Sequence, residues 1–486
     1  MGLRRSLRLR TLVAASAGLA LASSVYPAAV SAAAAAGGRW VWLAIAVAGA
    51  FCVMASANFA ELSAMYPTAG GVQVYVRHAF GERLAVTVSL LYVCLAWAAG
   101  AAEAYVFASV LERIFAATRL PVISAIPVEV WVLVVISFFF FINLRGIETA
   151  GRTQDIMTYV MFFLIFALSV WAVAVALARG LPLGGGGAAT AAGAVTAAGA
   201  LTTGGAGPGG ASAATASTGG VAGFIQGIAY SVYLFIGFEW VTPLAEETTD
   251  IKVLPRAMPI AVVLLALSYA VWTTVMVTFV PVGVLASSPT PHLIFGEALA
   301  GPAGLVLVGV ISALATFTSF NAGMMGNSRL VYGMAREGTL PKALSKIHLT
   351  YFSPWAALTF MFIVELLLAL VLTLTRSFNI AILMAAAIEC VIYFLVAVVT
   401  IKLRRTNPDA ERPYRAPGGW VLPAVTAVVF ALLALAVFFP PSPLLVGPVF
   451  ALALVLSYLY ARFAVPWIRA RSGKASVSAA RAVPKG

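Results

Sequence analysis

Apolar runs of membrane-crossing length recur along the whole chain, at about 40–65, 84–110, 126–144, 156–178, 222–243, 258–284, 303–332, 354–375, 378–402, 419–440 and 443–464. Each is long enough to cross a hydrocarbon core as a helix. A further run, from Leu12 to about Ala36, follows the basic stretch MGLRRSLRLR. Two readings meet here. Basic residues, an apolar core and the small residues Val30-Ser31-Ala32 imitate a cleavable signal, even a twin-arginine one. Pro27 inside the run removes a backbone donor and interrupts a helix, which favours a retained, discontinuous first span. The fold expected is therefore an all-α polytopic membrane protein of twelve transmembrane helices. A soluble chain carries about 25% charged residues, whereas here 10% are charged and 62% hydrophobic.

The charge that is present says how the chain lies in the bilayer. Net charge is +13, but the basic residues sit at helix ends and tails and form no patch for nucleic acid. With the N-terminus inside, 25 of the 30 Lys/Arg fall on the inner side, and Arg39, Arg113, Arg119, Arg179 and Arg376 alone fall outside. That bias follows the positive-inside rule and places both termini in the cytoplasm of a cell-membrane protein. The expected layout is a basic tail at 1–10, one membrane-spanning domain at 11–464 and a second basic tail at 465–486. Within the domain, helices 1–5 take 11–178, helices 6–10 take 222–402 and helices 11–12 take 419–464. The Gly/Ala/Thr/Ser tract at 180–220 lacks the large apolar residues needed for a core and reads as a solvated external linker.

Two spans are interrupted. The first carries Ala22-Ser23-Ser24-Val25-Tyr26-Pro27, and the sixth carries Gly237-Phe238-Glu239 near its middle before leaving the apolar region through Pro243, Glu246, Glu247 and Asp250. Their places correspond in two successive blocks of five helices, which is the sequence signature of an inverted-repeat transporter. An ionised carboxylate at the depth of Glu239 is costly unless it faces a partner or a wet cavity, so Glu239 is a candidate for proton coupling or gating. Cys52, Cys94 and Cys390 lie inside apolar runs and read as packing residues. His78, His292 and His348 fall in loops or near helix ends, which indicates no histidine relay. Neither HExxH nor a phosphate loop occurs, so neither an enzyme nor a cofactor or metal is implied.

Four stretches resemble the amino acid–polyamine–organocation permeases, in the order in which that family carries them. They are Glu61-Leu62-Ser63-Ala64-Met65-Tyr66-Pro67-Thr68-Ala69-Gly70-Gly71 with Tyr75, Phe80 and Gly81; Asn143-Leu144-Arg145-Gly146 with Gly151-Arg152-Thr153-Gln154; Ser328-Arg329 to Tyr332 with Ala335-Arg336-Glu337-Gly338-Thr339-Leu340-Pro341-Lys342; and Asn407-Pro408 with Glu411-Arg412-Pro413-Tyr414 and Pro417. The resemblance implies a LeuT-like five-plus-five inverted repeat with broken helices 1 and 6, and alternating-access transport of amino acids driven by protons or exchange. An amine or polyamine carrier is the alternative, and a nutrient receptor with a transporter fold a third. The implied partners are a small-molecule substrate, the bilayer and protons, with no nucleic acid. The family's Gly-Ser-Gly element in helix 1 corresponds to Ala22-Ser23-Ser24, and a lysine of many proton-coupled members corresponds to Met161.

Helices 3 and 6 are locally similar to arginine/agmatine antiporters, through Leu91-Tyr92, Trp97 and Phe235-Ile236-Gly237-Phe238-Glu239. The substrate site implied is Ala22, Ser23, Ser24, Tyr26, Trp97, Gly100, Glu103, Tyr233, Gly237, Phe238 and Glu239. Free backbone N–H groups at a half-helix suit a carboxylate, and unwound carbonyls suit an ammonium. In this scheme Glu103 receives a distal amine or guanidinium, with Trp97 or Tyr233 offering a cation–π face; alternatively Glu103 bonds a neighbouring helix or sits in a wet vestibule. Thr316, Thr318 and Ser319 offer oxygens to Na⁺, although such hydroxyls more often bond their own backbone. Glu365 and Glu389 carry no assigned role.

Overall fold

The computed structural model describes residues 3–118, 126–184, 220–375, 378–438 and 446–470, so the Gly/Ala-rich tract beyond residue 184, Arg119, Arg376 and the last sixteen residues lie outside the described residues. Among the described residues nine helices are long and apolar enough to cross a membrane, and ten if one bent pair counts as a single span; Glu129–Leu144 and Val421–Ala436 are shorter apolar helices. The chain is a multi-pass membrane protein.

That bent pair is α1 (Leu9–Ala20) and α2 (Val25–Ala36), whose axes differ by 66°. After them come α3 (Val41–Met65), the short α4 (Val72–Phe80), α5 (Glu82–Thr118), α6 (Val128–Leu144) and α7 (Ile147–Ala178). The sixth apolar run opens with α8 (Gly220–Val232) and continues as two 3-10 segments, Tyr233–Phe235 and Phe238–Glu247. Then follow α9 (Leu254–Phe279), the one-turn α10 (Val282–Ala286), α11 (Pro291–Arg336), α12 (Trp355–Thr375), α13 (Phe378–Thr406), α14 (Val421–Phe438) and α15 (Val446–Leu459).

Several helices outrun the apolar stretches read from the sequence. The fifth span reads as 156–178, yet α7 starts at Ile147, and its extra turns hold Glu148 and Asp155, which pair with Arg4 and Arg10. The eighth reads as 303–332, yet α11 runs back to Pro291 through a kink at Ala300 and Gly301, just before Pro302. A proline at that position removes the donor that would otherwise straighten the turn.

α1, α2 and the 3-10 segments are enclosed by α3, α5, α7, α9 and α11. Their inner faces are made from alanine and glycine, so backbones approach closely, as small residues allow between membrane helices. Polar braces hold this arrangement. Asn143 Nδ2 donates to Asn321 Oδ1 at 2.9 Å, Asn321 Nδ2 to Gln154 Oε1 at 2.8 Å, and Gln154 Nε2 and Thr158 Oγ1 each to the Ala14 carbonyl at 3.2 Å. Met161, where the family resemblance leads one to look for a lysine, is buried in the apolar core a turn further along α7.

Ion pairs gathered at one end of the bundle tie together stretches singled out in the sequence. Glu61 accepts from Arg404 Nε at 2.9 Å and from the Ala416 N–H at 2.8 Å, and Arg412 lies 3.3 Å from it. Arg329 and Glu247 pair at 2.9 Å, both shut away from solvent. Arg336 pairs with Glu246, which also accepts the Ala69 N–H at 2.9 Å, and Arg77 pairs with Glu337 at 2.6 Å. The N-terminal segment is stitched to the same end, where the Ser6 and Leu7 N–H groups donate to the Glu247 carbonyl. Glu246 and Glu247 thus fasten this end of the sixth run to α11 and to the loop that precedes α4, away from the middle of the bundle.

Candidate functional site

The first run stops being helical at Leu21, whose φ of −75° and ψ of 63° turn the chain out of the helix, and resumes at Val25. The N–H groups at such a restart have no intrahelical acceptor. Those of Ser23 and Ser24 each donate at 2.8 Å to one oxygen of Glu103, a buried residue of α5. Thr316 Oγ1 on α11 adds a third donor at 2.6 Å to Glu103 Oε1. Ser23 Oγ bonds the Ser312 carbonyl at 2.8 Å and lies 2.7 Å from Thr316 Oγ1.

Hydroxyls also satisfy the carbonyls that the break frees. Tyr269 donates to the Ala20 carbonyl at 2.5 Å, Thr318 to Leu21 at 3.2 Å and Ser319 to Leu19 at 3.2 Å. The oxygens considered for Na⁺ are therefore engaged with Glu103, Ser23 and the backbone of the break. His292 belongs to the same neighbourhood. Its Nε2 lies 2.9 Å from Ser312 Oγ, and its ring sits 4.3 Å from that of Tyr26.

The sixth run breaks at Gly237, whose φ of +117° is open to glycine and strained for other residues. A Cβ there would also come within 2.8 Å of Leu19, so glycine lets the two interruptions meet. Beyond it Glu239 is fully buried, and its oxygens accept from Tyr92 and Tyr393, each at 2.7 Å. Tyr92 stacks on Trp240 with ring centroids 3.9 Å apart. Phe238 packs on Phe59 and Tyr393. Glu389 and Cys52 are electrostatic neighbours of this carboxyl group. The Glu389 carboxyl group is fully buried beside Glu239 and Tyr393.

Between the two breaks lies a cavity of about 40 Å³, room for a few water molecules. Ala22, Ser24, Gly100 and Tyr233 of the expected site line it. Ser23 and Glu103 stand behind Ser24, bonded to each other, and Tyr26 packs against His292 and Trp272. Trp97 faces Phe360 and does not line the cavity, while Gly237, Phe238 and Glu239 form a separate cluster with the tyrosines.

Sequence reasoning missed several lining residues, among them Trp240, Phe320, Asn327 and Glu365. Glu365 is 6% exposed and has no hydrogen bond or ion pair to a described residue. Its carboxyl occupies the slot left by Gly100, where an added Cβ would lie 2.1 Å from Glu365 Oε1. A carboxyl group inside an apolar span was the available signal.

Two interrupted spans thus meet at an internal cavity among helices of membrane-crossing length. A family model described as amino acid permease matches residues 7–460, and the chain therefore belongs to the amino acid permeases of the amino acid–polyamine–organocation superfamily. It is similar to the branched-chain amino acid permease BcaP of Bacillus subtilis, 28% identical over 44% of this chain and 45% of that protein. It is also similar to the D-serine/D-alanine/glycine transporter of Escherichia coli K12, 27% identical over 50% of this chain and 53% of that protein. A third relative is the human large neutral amino acids transporter small subunit 2, 31% identical over 40% of this chain and 34% of that protein. The chain spans about half the length, or less, of the curated relatives it matches.

Proposed function

We propose that this protein moves amino acids, or amines related to them, across the cell membrane by alternating access, driven by protons or by exchange. The observation that carries this reading is the meeting of two interrupted spans at one buried cavity, with Gly237 packed on Leu19 and Ser24 beside Tyr233. Discontinuous helices place backbone donors and acceptors inside the bilayer where a zwitterion or a cation can use them. The relatives' descriptions as amino acid carriers support the cargo class. The acidic lining residue Glu365 favours the amine as a second cargo.

In this reading the shorter apolar helices α6 and α14 also cross, giving twelve spans in a five-plus-five inverted repeat followed by two more. The bias of Lys/Arg supports cytoplasmic termini. The ion pairs of Arg329 with Glu247 and Arg336 with Glu246 then close the cytoplasmic end. Glu239, facing Tyr92, Tyr393, Glu389 and Cys52, is the proton site.

Uptake of labelled amino acids and amines into proteoliposomes, at two external pH values and with or without internal substrate, tests the proposal. At least one compound is expected to accumulate, and internal substrate is expected to accelerate its entry. Binding without translocation would make the protein a receptor and overturn the transport reading.

A further inference from the structure

The anion site at the break of the first span is already filled by the protein itself. A substrate carboxylate would use the free N–H groups of that break, as anions do at helix N-termini. Here the Ser23 and Ser24 N–H groups hold the two oxygens of Glu103 at 2.8 Å each, with Thr316 as a third donor at 2.6 Å. Glu103 is 1% exposed, so nothing in solvent competes for it. A second carboxylate brought to the same place would find its donors spent and a like charge beside it.

The cavity next to this plug holds one carboxyl group and no basic side chain. Glu365 is the single acidic residue among those lining it, and it carries no hydrogen-bond or ion-pair partner among the described residues. Asn327 Oδ1 is a further buried acceptor without a partner. The remaining walls are largely apolar or aromatic, among them Leu95, Ile236, Phe320 and Tyr233. An unpaired carboxyl in such a place calls for a cation, and a charge-assisted bond from an ammonium answers it. The apolar walls suit a compact hydrocarbon body, and Trp240 Nε1 is an unpaired neutral donor among them.

We propose that the ligand of this cavity is a small primary amine lacking a carboxylate, with its ammonium on Glu365 and Glu103 standing where an amino acid's carboxylate would bind. This rests on the transport reading and narrows its cargo. Gly100 is the positioning residue that gives the Glu365 carboxyl its slot.

Calorimetric titration of the purified full-length protein with pairs differing by one carboxylate tests this. Suitable pairs are isobutylamine and valine, phenethylamine and phenylalanine, and putrescine and ornithine. At least one amine is expected to bind ten-fold or more tighter than its parent amino acid, and no parent to bind tighter than its amine. A parent amino acid that binds tighter than its amine overturns the proposal, as does the absence of any binding. Glu365→Gln is expected to weaken amine binding ten-fold or more, and unchanged affinity also overturns it. Glu103→Ala frees the Ser23 and Ser24 donors and is expected to shift preference at least ten-fold toward the amino acid. A folded variant with an unshifted preference removes Glu103 from its assigned place and overturns the proposal. Should that variant not fold, the wild-type pairs and Glu365→Gln decide. Proteoliposome uptake separates the two levels. Entry of amino acids with exclusion of amines leaves transport standing and this inference fallen, whereas entry of neither compound removes the transport reading itself.

Discussion

Arg329→Ala is expected to destabilise the protein by about 3–5 kcal/mol, because it strands Glu247 as a buried charge without its cation. Arg329 reaches Glu247 through Nε at 2.9 Å and Nη2 at 3.3 Å, and its Nη1 donates to Ser328 Oγ at 3.1 Å. Both partners are fully enclosed. The pair of Arg336 with Glu246 joins the same elements but is partly exposed, and losing it should cost only about 1 kcal/mol. Thermal unfolding in detergent separates the cases, with Arg329→Ala melting well below Arg336→Ala. Replacing both Arg329 and Glu247 by methionine should recover much of the loss, since an apolar pair removes the desolvation cost of two ions. Equal melting of the two arginine variants would show that the buried pair does not hold this end together.

The second large effect concerns coupling. Glu239→Gln keeps a side chain of the same shape between Tyr92 and Tyr393 but cannot take up and release a proton. Exchange of labelled substrate across proteoliposomes is expected to persist in this variant. Accumulation driven by an imposed proton gradient is expected to fall at least ten-fold, to the level given by exchange alone. Full gradient-driven accumulation in Glu239→Gln would dismiss Glu239 as the proton site and turn attention to Glu389, its buried neighbour.

The architecture was legible in the sequence to the extent that it depends on period and composition. Apolar runs marked the helices, and the interruptions at Ser23-Ser24 and Gly237 were visible because prolines, serines and a glycine stand where apolar residues are otherwise continuous. The quoted motifs also meet in space. Glu61 from one pairs with Arg404 and lies beside Arg412 from another, while Asn143 bonds Asn321, which bonds Gln154. Helix ends were less legible, since α7 begins in polar turns that hydropathy assigns to a loop and α11 runs back across the kink at Ala300 and Gly301.

The site was legible by residue type and not by rotation. Glu103 was recognised as important, yet which way it points depends on how α5 turns against α1 and α2, and a single sequence does not encode that angle in any local pattern. The structure turns it onto the break at Ser23 and Ser24. Trp97, six residues earlier, is turned instead toward Phe360. Glu365 went unassigned for the same reason. Its role rests on contact with Gly100, a residue far away in the chain that no spacing rule connects to it.

The central claim is that substrate binds in the cavity between the two interruptions, and Ala99→Phe tests it most directly. Ala99 lines the cavity and takes part in none of the ion pairs at the end of the bundle. A phenyl ring there fills the space while leaving those pairs intact. Binding of the labelled compound that wild-type protein transports should then be lost together with its uptake, with thermal unfolding little changed. Retained binding and uptake in a folded Ala99→Phe variant would place the transport site elsewhere in the bundle.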